Sequence, residues 1–69
     1  MKLFEFNSKS RRHGTQTYIF VVALTLEEAE GIAKKKLISE GMRPHVELTG
    51  ELEVSPSAKV GIFDVIYRE

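Results

Sequence analysis

The chain has no cysteine and no tryptophan, and only two prolines among its 69 residues. Without cysteine, neither a disulfide nor a thiolate metal site can support so short a chain, so a packed core, its own or one shared with another subunit, must supply the stability. Long hydrophobic runs are also missing. Nothing approaches the roughly 18 apolar residues of a membrane span. The opening MKLFEFNSKS alternates, without the apolar stretch of about 7 to 15 residues that a signal peptide needs, and a cytoplasmic protein is the expectation. G-x-S-x-G, P-loop and G-x-G-x-x-G patterns are absent as well, which leaves the glycines to turns, a helix stop and strand irregularities.

What is present is the composition of an ordinary folded domain, 42% apolar and 29% charged, and the length predicts one domain over residues 1–69. Ten acids balance ten bases, but unevenly. Residues 1–17 hold Lys2, Lys9, Arg11 and Arg12 against Glu5, a net +3, whereas residues 44–69 hold five acids against Lys59 and Arg68, a net −3. That dipolar layout argues against a general nucleic-acid coat and leaves room for one local basic contact.

Leu3 to Asn7 alternates Phe4 and Phe6 with Glu5 and Asn7 and reads as a short edge strand, followed by a polar hairpin loop containing Gly14. From Thr17 to Leu24 the residues are β-branched and aromatic and apolar on both faces, the pattern of a central strand. Thr25 and Glu28 then form a T-x-x-E capping box. Leu26, Ala29, Ile32, Ala33 and Leu37 fall in one helical stripe, and Gly41 is placed to end the helix. A strand wet on one face follows from His45 to Val54, then a turn over SPSAK, then a fourth strand from Val60 to Tyr67 that is again apolar on both sides. The predicted fold is therefore α+β, in the order β-β-α-β-β: a four-stranded, mainly antiparallel sheet with one helix on one face. Short loops predict hairpins for the first and last pairs, and placing the two doubly apolar strands inside gives a strand order of 1-2-4-3.

One helix of about 15 residues, about 22 Å long, can shield only one face of such a sheet. The other face must then display either Tyr18, Phe20 and Val22 or Ile19 and Val21, with alternate residues of the fourth strand. Exposed apolar patches of that kind mark interfaces, and two identical sheets packing about a two-fold axis is the simplest cover. Tyr18, Phe20, Val22, Phe63, Val65 and Tyr67 are the candidate protein-interaction residues. The competing reading has strand twist and loops covering the patch. Asp64 interrupts one face of the fourth strand, either as a buried partner for the loop arginines or as a sign that the face of Val60, Ile62 and Ile66 is the exposed one.

The hairpin loop collects Lys9, Arg11, Arg12 and His13 beside hydroxyls, an arm able to contact a nucleic-acid backbone, although a solvated turn explains the same residues. Lys34, Lys35 and Lys36 splay around the helix and form no patch. His13 and His45 lack the neighbouring ligands of a metal site. Glu47, Glu51 and Glu53 line one strand, but a paired-carboxylate hydrolase needs a cleft that so small a sheet hardly provides. No catalytic residue, metal or cofactor is expected.

The run from Tyr18 to Leu37, YIFVVALTLEEAEGIAKKKL, resembles the strand-cap-helix outline of small uncharacterised bacterial and bacteriophage proteins, some of which act by binding and blocking host proteins. The resemblance implies a small α+β interaction protein and assigns no functional residue. The reading as a whole is a non-enzymatic interaction module, expected to be homodimeric, with nucleic-acid binding through residues 9–18 as the alternative.

Overall fold

A computed structural model describes residues 1–9 and 16–68. Four strands, β1 (Lys2–Lys9), β2 (Gln16–Ala23), β3 (Glu47–Glu53) and β4 (Gly61–Arg68), and one helix, α1 (Leu26–Ser39), follow one another as β1-β2-α1-β3-β4. The strands make one open sheet in the order β3-β1-β2-β4, with every neighbouring pair antiparallel. This is an α+β fold. Both β2 and β3 run opposite to β1, so they are parallel to each other, and α1 carries the chain between them.

The core lies between the sheet and α1. Phe4 and Phe6 of β1, Ile19, Val21 and Ala23 of β2, and Ala29, Ala33 and Leu37 of α1 form one buried cluster, with Ile32, Met42, Val46 and Val65 packed against it. Alternation puts Phe4 and Phe6 opposite Val21 and Ile19 on the covered face. Two alanines in the buried helical stripe bring α1 close to the sheet.

Both helix ends use the residues that the sequence marks for them. The Thr25 hydroxyl accepts from the Glu28 N–H at 3.2 Å, and the Glu28 carboxylate accepts from the Leu24 N–H at 3.1 Å, one residue beyond the usual partner of a capping box. At the other end Gly41 has φ +74°, its N–H donates to the Ile38 carbonyl, and the Met42 N–H donates to the Leu37 carbonyl. That is a Schellman stop, with Met42 returning to the core.

The strand order corrects the expected 1-2-4-3. β1 is central, not an edge, and β4 is an edge, not central. Nor do β3 and β4 form a hairpin: each pairs with a different inner strand, and they lie on opposite margins. The physical reason is that alternation reports which faces of a strand meet water, and carries no information about its lateral position. Residues 54–60 cross three strand spacings, about 14 Å, at the end of the sheet, well within the reach of seven residues. The Val54 N–H donates to the Met1 carbonyl and the Ala58 N–H to the Ser55 carbonyl along this crossing.

Each edge strand also carries a bulge that the sequence pattern hides. On β3, Gly50 faces Glu5 and Leu48 faces Phe6, so Thr49 is the extra residue, and its hydroxyl donates to the Glu5 carbonyl at 3.2 Å. On β4, Asp64 faces Phe20 and Ile62 faces Val21, leaving Phe63 as the extra residue.

One polar link ties β4 to the end of α1. The Tyr67 hydroxyl donates to both Glu40 carboxylate oxygens, at 2.5 and 2.6 Å, and Lys36 lies 3.1 Å from the same carboxylate. The Tyr67 hydrogen bond, then Lys36, holds the Glu40 carboxyl below its ordinary 4.5, and Glu40 in turn pushes the Tyr67 hydroxyl above 10.0. Glu40 therefore contributes stability above its unfolded value that is lost as pH falls through the lower folded one. Tyr67 contributes stability below its unfolded value that is lost as pH rises through the higher folded one. The urea midpoint of the protein should exceed that of Tyr67→Phe by a constant small margin between about pH 5 and pH 9, and the margin should close below about pH 4 and above about pH 11. A margin unchanged across that range would show that the link contributes nothing.

Candidate functional site

Cross-strand pairs share a face, so the register reads out what the uncovered side of the sheet presents. Four rows run across it. The first holds Leu52, Leu3 and Val22; the second Gly50, Glu5, Phe20 and Asp64; the third Glu47, Asn7, Tyr18 and Ile66; the fourth Lys9, Gln16 and Arg68. Polarity changes along the strands, from apolar at the first row, through an acidic pair flanking Phe20, to a basic pair flanking Gln16.

The apolar end is a groove of about 470 Å³, in which Leu3 and Val22 meet Val54 and Ala58 of the crossing segment and Ile62 and Phe63 at the β4 bulge. Of its lining, Phe63 is exposed by 69% and Ile62 by 41%; Leu52, opposite Leu3, is exposed by 63%, and Ile66 further along β4 by 39%. Val22 is only 6% exposed, because the crossing segment runs beside it. The polar end is organised by Gln16, whose side-chain carbonyl accepts from the Tyr18 hydroxyl at 2.7 Å and from the Asn7 amide at 3.5 Å. That network fixes the Tyr18 ring at the surface with its polar tip occupied.

The six candidate interaction residues are not brought together on one face. Tyr18, Phe20 and Val22 share the open side, and Phe63 joins them at the groove. Val65 and Tyr67 lie opposite Ile19 and Thr17 on the helix side, Val65 against the core and Tyr67 on Glu40. Leu3 and Leu52 take part in the open face without having been singled out for it, and Ile66 falls there as one of the two readings of Asp64 has it. Asp64 was the available signal for Ile66, since an acid two residues away on the same strand face argues that the face is wet. Asp64 itself is exposed.

Of the basic set, Lys9 is exposed on the open face, and Arg11, Arg12 and His13 lie outside the described residues. The three glutamates of β3 are separated by its bulge: Glu47 faces Asn7 on the open side, while Glu51 and Glu53 lie 3.3 and 4.0 Å from the Lys2 ammonium on the other. Among the described residues no cluster of three or more His, Cys, Asp or Glu is placed to hold a metal ion, and no helix is long and apolar enough to cross a membrane. No protein-family model, curated protein or solved structure matches the chain.

Proposed function

We propose that the protein is a small non-catalytic interaction module that offers its open sheet face, with the adjoining β4 margin, to another protein, and that a second copy of the chain is its first partner. The observation that carries this reading is the exposure of Leu52, Phe63 and Ile66 along a face that neither α1 nor any other described element covers. Covering a few hundred Å² of apolar surface yields about 5–10 kcal/mol before the costs of association, which is the scale of the stability of so small a domain.

Sedimentation equilibrium from 1 µM to 1 mM tests it. The mass is expected to rise from 7.8 kDa toward twice that value, and Phe63→Ser should move the transition to higher concentration while leaving the far-ultraviolet spectrum unchanged. A constant 7.8 kDa mass across the range would overturn self-association.

A second reading has one observation behind it. Lys9 and Arg68 flank Gln16 in the fourth row, and Lys9 and Gln16 bracket in sequence residues 10–15, which include Arg11 and Arg12. Oligonucleotide binding that weakens steeply with salt and vanishes in Arg11→Ala/Arg12→Ala would favour nucleic acid as the partner.

A further inference from the structure

We infer that the self-association just proposed, on which this inference rests, runs through the free edge of β4: two copies pair β4 with β4 antiparallel, about a two-fold axis at Ile66, into a continuous eight-stranded sheet. Among the described residues, no strand neighbours the outer side of β4. It is eight residues long and contains no lysine or proline, and five of its residues are large and apolar. Ile62, Phe63, Ile66 and Tyr67 are all exposed there. Edges of this kind pair with other chains unless charge or distortion prevents it. β3, the opposite margin, is protected: Glu47, Glu51 and Glu53 in seven residues repel a second copy of themselves.

The register follows from charge and from the bulge. Phe63 interrupts the ladder, so the regular run of β4 is Asp64 to Arg68. Its only charges are the two end residues, opposite in sign and on one face, with Ile66 midway. Reversing the run about Ile66 sets Asp64 opposite Arg68 of the second copy, twice, and Val65 opposite Tyr67 of the second copy, twice. Centring on Asp64 or Arg68 would set like charges face to face. Centring on Val65 would leave both charges opposite apolar residues and bring Arg68 against the bulge region at Ile62. The Val65 N–H donates to the Asp64 carboxylate at 2.8 Å in the single chain. Pairing gives that donor a strand carbonyl and releases the carboxylate to the arginine across the axis. Because the axis stands perpendicular to the sheet, both helices lie on one side and both open faces adjoin on the other.

The absence of native cysteine makes the test direct. Antiparallel partners sit about 4.5–5.5 Å apart between Cα atoms, within disulfide reach. Ile66→Cys is therefore expected to form a covalent dimer on mild oxidation, whereas Phe20→Cys, at the middle of the open face, is not. Asp64→Arg and Arg68→Asp should each weaken the dimer about tenfold, about 1.4 kcal/mol, and the double exchange should restore it to within about threefold. In the unaltered protein, the Val65 and Tyr67 amides should exchange with solvent more slowly as concentration rises. A dimer that cross-links through Phe20→Cys, shows no recovery in the double exchange, or leaves those amides indifferent to concentration overturns the β4 pairing and keeps self-association. A mass that never departs from the monomer overturns both.

Discussion

Phe6→Ala is expected to leave the protein largely unfolded at 25 °C and neutral pH. Phe6 is completely buried, sits on an inner strand between Ile19 and Leu48, and stacks on Phe4 with 6.4 Å between ring centroids. Truncating a core phenylalanine costs about 3–5 kcal/mol, as lost transfer energy plus the cavity left behind. A domain of this length has about 3–10 kcal/mol in total, with no disulfide to fall back on. Circular dichroism and the spread of amide proton shifts report the outcome at one fixed protein concentration. Leu52→Ala, on the same sheet but mostly exposed, should change stability by less than about 1 kcal/mol. Equal effects at the two positions would mean that the core is not where the strand register puts it.

Enlarging two small residues of α1 should give opposite signs. Ala33 is fully buried in the stripe that seats the helix on Phe4, Ile19 and Val21. Ala33→Leu must lift the helix or displace its neighbours, and should cost about 1–3 kcal/mol. Gly31 lies two residues earlier on the exposed side, and a Cβ built there meets nothing within 4 Å. Gly31→Ala should therefore stabilise by about 0.5–1 kcal/mol, by restricting the unfolded chain and favouring the helix. Urea titrations of the two variants decide it. Stabilisation by Ala33→Leu would show that α1 does not rest on its alanines.

The helix was the most legible part of the sequence because its signals are local. Thr25, Glu28 and Gly41 act within a turn of their own position, and the stripe from Ala29 to Leu37 needs only a 3.6-residue period. The sheet was legible one strand at a time, since Phe4, Phe6, Ile19 and Val21 alternate correctly, while the lateral order was not. β4 is apolar on both sides, which suggests an interior strand when every face is assumed to be covered by the same chain. It is an edge whose neighbours leave Phe63 and Tyr67 in the open. The bulges at Thr49 and Phe63 shifted the remaining assignments. Leu48 and Leu52, four apart, would share a face in a regular strand but fall on opposite ones, and Phe63, expected on the face of Val65 and Tyr67, lies instead at the open-side groove with Leu3 and Val22. A bulge is decided by the neighbouring strand, and the run of residues that contains it carries no local mark of it.

The lateral arrangement also governs how the molecule breathes. Its two inner ribbons are consecutive in the chain and together carry most of the sheet's contribution to the interior, while among the described residues each outer ribbon has a strand neighbour on one side only. Either margin can peel away and return without parting Phe4 and Phe6 from Val21 and Ile19, so the outer ribbons are expected to loosen before the inner pair.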